Sequence, residues 1–295
     1  MLKFSISRPK HNLVRMRLPI GLLVAAVCGA AAPAALADTV TSSNWAGYAV
    51  HRTGLAFKKV SAAWTQPRAT CTPGRQTYSA IWVGLGGYNE SSNALEQIGS
   101  EVDCTASGNA ASSVWYELVP AASQNIRMRV RPGDGMYATV TVTGNTVVLT
   151  LLDSTTHRSF KKTLHASEVD VSSAEWIVEA PSDCINANTC QTLPLADFGS
   201  ATFAFASAQS VAGHLGTISD ATWDSSKIRL TASGRRFVSY NGSSPTLVGV
   251  ANPSALASRG SSFKVTYATV TAQSSPFLTQ RASVARAGHL VHPAR

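Results

Sequence analysis

Apolar and polar residues alternate with a period of two along most of this chain, and hardly anywhere with the 3.6-residue period of a helix. "NIRMRVRP" sets Ile126, Met128 and Val130 on one face and Arg127, Arg129 and Arg131 on the other. "YATVTVTGNTVVLTLLD" reads as two strands around a Gly144-Asn145 turn, the clearest hairpin signal in the chain. Further strands are predicted in "SNWAGYAV", "KVSAAWTQP", "YSAIWVGLGG", "SVWYELVP", "SAEWIVEA", "ATFAFASA" and "SFKVTYATV", punctuated by Gly, Pro, Ser and Asn. Only "PSALASR" has room for a helical turn or two. Many short strands with frequent turns, no internal repeat and no low-complexity linker predict one all-β domain, an antiparallel sandwich or jelly roll.

The first 37 residues stand apart from this pattern. Lys3, Arg8, Lys10, Arg15 and Arg17 precede an apolar run from Leu18 to about Ala32, and Ala35-Leu36-Ala37 is an A-x-A cleavage signal ahead of Asp38. The run is short for a membrane span, and Val27 stands before Cys28 where a lipoprotein signal needs a small residue. The expected organisation is a secretory signal peptide at 1–37, a sandwich domain over 38–275 and a basic, flexible tail over 276–295. The mature form is expected to be an extracellular monomer without membrane attachment. Removing the leader also changes the charge: it holds five of the 25 Lys and Arg and none of the 16 Asp and Glu, so the remainder carries +4 rather than +9. Charge that mild and that scattered argues against a nucleic-acid partner.

Outside the leader four cysteines remain: Cys71, Cys104, Cys184 and Cys190. An even count in an exported chain predicts two disulfides, and four cysteines allow three pairings. The spacing of Cys184 and Cys190 suits a short loop closure, which leaves Cys71 with Cys104. These cysteines lack C-x-x-C spacing, and His51, His157, His165 and His214 show no ligand pairing, so neither a metal nor a cofactor is expected.

Serine-hydrolase elbows, H-E-x-x-H, Walker loops and dinucleotide fingerprints are all missing from the sequence, and Asp153-Ser154-Thr155 lacks the glycine of an aspartic-peptidase motif. What stands out is a set of polar residues inside strand-like segments: Gln97 in "NALEQIGSEVD", Glu117 in "VWYELVP", and Glu175 and Glu179 in "SAEWIVEAP". Alternation puts Glu175, Ile177 and Glu179 on one face of that last strand and Trp176 and Val178 on the other. A lone strand carboxylate is ordinarily a solvated one. Here aromatic neighbours (Trp115, Tyr116, Trp176) offer the desolvation that raises a carboxyl pKa toward proton-transfer range.

The ordered series "SNWAGYAV", "AIWVGLGG", "ALEQIGSEVD", "WYELVP", "AEWIVEAP" and "LPLADFGSATF" resembles the glutamic peptidases (eqolisins), in register from about Ser43 to Phe203. The resemblance implies a concanavalin A-like β-sandwich of two antiparallel sheets, one bent into a substrate groove. It also implies an endopeptidase acting on proteins or peptides through a Gln/Glu dyad. The family's glutamine matches Gln97 and its glutamate matches Glu179. Trp45, Trp82 and Glu117 fall on positions that line or support the groove, while Glu175 takes a supporting or structural role. A Cys184–Cys190 bridge would then stiffen the loop beside the active site. Such a dyad makes chemical sense: a carboxyl near its pKa takes a proton from water and returns it to the leaving nitrogen, while a neutral amide donates to the oxyanion.

Three features depart from the fungal pattern: Gly86 replaces an aspartate expected after the "WVG" stretch, Leu118 and Val119 replace an aromatic pair, and the family core starts almost directly after the leader. A glycan-binding or glycoside-hydrolysing sandwich is the competing reading. Glu175 and Glu179, four apart on a strand and so roughly 13 Å apart, are too distant for a retaining pair of about 5 Å. That alternative therefore needs Glu117 with Glu179.

Overall fold

The computed structural model describes residues 37–89, 91–186, 189–232, 234–235 and 249–269, without side chains at 184–191. In chain order the strands are β1 (Asp38–Ser42), β2 (Trp45–His51), β3 (Phe57–Thr65), β4 (Ala80–Gly86), β5 (Leu95–Cys104) and β6 (Ala110–Val119). They continue as β7 (Gln124–Asn125), β8 (Gly135–Thr143), β9 (Thr146–Asp153), β10 (Arg158–His165), β11 (Ser173–Glu179) and β12 (Ser182–Asn186). The last are β13 (Thr189–Thr192), β14 (Ser200–Ser210), β15 (Leu215–Gly216), β16 (Asp224–Leu230), β17 (Gly249–Pro253) and β18 (Phe263–Thr269). The helical turn predicted near "PSALASR" is one 3-10 turn at Ser258–Gly260.

Hydrogen-bonded neighbours follow the path β10-β9-β8-β3-β14-β18-β17-β16-β2-β11-β4-β5-β6-β7. Among the described residues its narrowest ladder lies between β16 and β17, where Leu230 with Ala251 is the one register pair, and the path doubles over itself into a β-sandwich. Aromatic residues bridge the layers: the Trp176 indole on β11 donates to the Ser61 carbonyl on β3 (2.9 Å), and the Trp64 indole on β3 donates to Ser100 Oγ on β5 (2.9 Å). Between the layers lie Val60, Ile81, Val83, Leu85, Ile98, Val140, Leu149, Val178 and Phe203, all fully buried.

The predicted hairpin is β8–β9, with Gly144 in the left-handed region at φ 54°. The "NIRMRVRP" alternation also holds in burial, since Met128 and Val130 are buried and Arg127 and Arg129 exposed, but the segment follows β7 without a ladder of its own. A disulfide joins Cys71 to Cys104, the latter at the end of β5. The backbone register sets Cys184 opposite Cys190 on β12–β13, and their side chains lie outside the described residues. The leader and tail boundaries also lie largely outside those residues, while β1 begins at Asp38.

Candidate active site

The candidates lie on the face of β2, β11, β4, β5 and β6 that points away from the inter-layer core. Glu179 stands opposite Trp45 on β2 and Ala80 on β4, and Glu175 stands opposite Gly84 on β4. Gln97 stands opposite Gly84 on one side and Glu117 on β6 on the other. Directly opposed residues point to the same side of a sheet, so all four share this face. Around them lies a separate apolar cluster that includes Trp45, Trp82, Trp115, Leu95, Val119 and Ile177.

The two glutamates of β11 differ in access. Every residue of the strand is buried except Glu179, at its end. One Glu179 oxygen accepts from the Trp82 indole (2.8 Å) and the other from the Asn44 amide (3.4 Å). Asn44 is aimed by the turn before β2, where Ser42 Oγ donates to its Oδ1 (3.0 Å). Burial pushes the Glu179 carboxyl up to about 7, with the nearby Glu117 charge adding to the rise; hydrogen bonds from Trp82, Trp45 and Asn44 pull the other way.

Gln97, 4% exposed, donates through Nε2 to Glu117 Oε2 at 2.7 Å. Its Oε1 is buried without a hydrogen-bond partner among the described groups, so this bond fixes which end of the amide faces Glu117. Burial lifts Glu117 to about 7, and the bond from Gln97 opposes the rise. Glu117 and Glu179 therefore titrate as an interacting pair rather than as two independent acids.

Gln97 and Glu179 do not hydrogen-bond to each other. They are two strands and four register positions apart, and the Trp82 indole spans that interval. Its Nε1 holds Glu179, while its six-membered ring lies over Gly84, the residue facing Gln97. A Cβ on Gly84 would come within 2.9 Å of Trp82 Cζ3, and one on Gly99 within 2.6 Å of Trp82 Cβ. Trp45 packs edge-on against Trp82, with ring centroids 5.0 Å apart. Gly84→Ala is therefore expected to tilt the indole off Glu179 and to lower kcat by about tenfold to a hundredfold, the range a small misplacement costs. Steady-state kinetics on a folded variant would measure it, and an unchanged kcat would remove the glycine from this role.

Glu175 is fully buried. Burial raises its carboxyl well above the usual range; a hydrogen bond from Ser173 opposes the rise, and Asp170 and Glu96 reinforce it. Gly86, at φ 87°, leaves space that Asp170 fills: a Cβ there would lie 2.6 Å from Asp170 Cβ. Asp170 in turn accepts from the Gly87 amide (3.1 Å), Ser92 Oγ (2.5 Å) and the Ser172 amide (2.8 Å). A carboxylate is thus present beside position 86, supplied from the segment before β11.

The sequence profile of the peptidase A4 family matches residues 43–245, so the chain belongs to that family and is a glutamic endopeptidase. Among solved structures it resembles scytalido-glutamic peptidase bound to a transition state analog inhibitor. That match has a TM-score of 0.61 and 23% identity, covering 77% of this chain and 98% of that one. It also resembles SCP-B of the eqolisin family in complex with the tripeptide Ala-Ile-His (TM-score 0.55, 22% identity, 77% and 98% covered). Aspergilloglutamic peptidase from Aspergillus niger is similar too (TM-score 0.51, 26% identity, 65% and 99% covered). Comparison with curated protein sequences gives no match.

Proposed function

We propose that the protein is a secreted endopeptidase of mildly acid surroundings in which Glu179 activates water and Gln97 stabilises the oxyanion. The observation that carries this reading is the single accessible carboxyl of β11, pinned by Trp82 and Asn44 on the sheet face that also carries the Glu117–Gln97 pair. With its pKa near 7, Glu179 holds and releases a proton within the working range, as a group acting first as base and then as acid must. In its ionised form it takes a proton from a water set against the scissile carbonyl, then passes that proton to the departing nitrogen. One N–H of the Gln97 amide is committed to Glu117; the other is available to the oxygen that gains charge. The leader at 1–37 supports export, and the substrates are proteins or peptides.

Casein and peptide cleavage by Gln97→Ala tests the assignment. Loss of one oxyanion donor is expected to lower kcat by about a hundredfold to a thousandfold with little change in KM, and full activity in a folded variant would sink it. The pH profile gives a second readout. Activity requires one carboxyl of the Glu117/Glu179 pair ionised and the other protonated, so the profile is bell-shaped. Glu117→Gln leaves a single titrating carboxyl in the pair, so its profile loses the alkaline limb that the second ionisation sets.

A further inference from the structure

The arginine row of "NIRMRVRP" has no part in the catalytic face, and the fold sets it where the sandwich closes. β7 and β10 are the two ends of the hydrogen-bonded path. Tyr116 of β6 brings them together: it pairs with Gln124 of β7 and stacks on Phe160 of β10 (centroids 5.7 Å apart, planes at 21°). Met128 and Val130, just after β7, are buried in the inter-layer core, and Phe160 and Leu164 of β10 pack against that same core. These contacts turn Arg127, Arg129 and Arg131 outward as an exposed row, while Lys161 and Lys162 are exposed on β10.

Charge that looks scattered along the chain is thereby gathered on one edge. The sequence has no Asp or Glu from 120 to 133 or from 154 to 167, the two stretches that build it. Arg158, the remaining Lys or Arg of β10, stands opposite Asp153. The other five cations have no side-chain partner among the described residues, whose ion pairs, Arg52 with Asp224 and His214 with Asp220, lie elsewhere. Alternate residues of an extended chain are roughly 6–7 Å apart, so the three guanidinium groups form a spaced line rather than a converging pocket. Like charges held along one edge repel each other, and a ligand carrying a matching line of anions relieves that repulsion.

We infer that this edge binds a linear acidic polysaccharide, with Arg127, Arg129 and Arg131 each taking an anionic group of its own and Lys161 and Lys162 adding charge alongside. Guanidinium forks suit oxyanions of this kind. A single-stranded nucleic acid fits less well, because its bases need exposed aromatic platforms, and Phe160 is turned inward onto Tyr116. The edge adjoins β6, the strand that carries Glu117, so binding here anchors the enzyme to an acidic matrix. The test measures the affinity of the full mature chain for polygalacturonate, dextran sulfate, neutral dextran and oligo-dT at about pH 6, where uronates are ionised. At least one acidic polysaccharide is expected to bind, with affinity falling steeply as salt rises, and neutral dextran is not. The tighter of the two identifies the anionic group as carboxylate or sulfate. Replacing the row together (Arg127→Gln, Arg129→Gln, Arg131→Gln) is expected to weaken binding at least about tenfold, and Lys161→Gln with Lys162→Gln about threefold. A control with the same charge loss on β16 and β18, in the middle of the path (Lys227→Gln, Arg229→Gln, Lys264→Gln), should keep wild-type affinity. All three arginines of the row are solvent-exposed, so their loss leaves the core intact, which circular dichroism would verify. Absence of binding to both acidic polysaccharides, equal losses in the row and control variants, or oligo-dT binding as tight as the better polysaccharide would overturn the inference. Because binding is read without turnover, a failure of the catalytic assignment leaves this result unaffected.

Discussion

Glu179→Gln is expected to lower kcat by on the order of 10⁴, with KM changed far less, because in the proposed mechanism one carboxyl performs both proton transfers. The amide keeps the volume of the side chain and an acceptor for the Trp82 indole, so packing around it should survive. What it loses is the ability to take a proton from water and return it to nitrogen. The prediction is sharper than a simple loss of activity. Any residual rate should no longer follow the ionisation of Glu179, so the pH profile flattens on the limb that this group controls in the wild type. Glu175→Gln, four residues earlier on the same strand, should leave kcat in mild acid within a few-fold of wild type. Circular dichroism and unfolding temperature would establish that both variants fold. If Glu179→Gln retained most of its activity, the base would have to be another carboxyl of this face, first of all Glu117, the partner of Gln97 that burial raises to about 7.

The contrast between these two glutamates shows how much the sequence reveals. Alternation alone sets them on one face with Trp176 and Val178 behind, and both core residues are fully buried. It cannot distinguish them, because access depends on which end of the strand is covered. The family register separates them, and the fold supplies the physical difference: Glu175 is enclosed and Glu179 ends the strand. The sandwich was legible for the same reason as the hairpin, since a period-two pattern and turn residues are local. Edge strand β10 was missed because Lys162 interrupts the apolar face between Phe160 and Leu164, a common device for protecting sheet edges. Asn44 was quoted only within a longer motif, because its role depends on a hydrogen bond to a residue 135 positions away. Glu96 gave no periodic signal beside Gln97, and Asp170 reaches its partners from a loop. The glycan alternative fails on membership of the peptidase family rather than on the pairing of Glu117 with Glu179.

Glu96 and Asp170 lead to the second large effect, a fold that loses stability as pH rises. Glu96 and Glu175 are fully buried, and the few hydrogen bonds their carboxyls receive, from Ser173 to Glu175 and from backbone amides to Glu96, do not offset that burial. Burial, with the Asp170 charge adding to it, pushes Glu96 up to about 8, and burial raises Glu175 well above its ordinary value. A carboxyl with a raised folded pKa holds its proton more tightly folded than unfolded. Its contribution is therefore full below the unfolded value, near 4.5, and is lost as pH climbs through the folded one. For Glu96 this amounts to about 5 kcal/mol at most between pH 4.5 and 8. Glu117, Glu179 and Asp103 are raised as well and act in the same direction. Asp170 acts oppositely: although burial pushes it up, hydrogen bonds from Ser92, Ser172 and Gly87 hold it below the usual range, so its contribution is lost only on strong acidification. The unfolding temperature should thus fall steadily from about pH 5 to pH 8. In Glu96→Gln the slope should flatten, because an amide cannot ionise, even though its unpaired donors cost about 1–3 kcal/mol at low pH. Equal slopes in wild type, Glu96→Gln and Glu175→Gln would show that these buried acids do not govern the loss. A flattened slope would mean that the fold confines the enzyme to mild acid independently of the ionisation of Glu117 and Glu179.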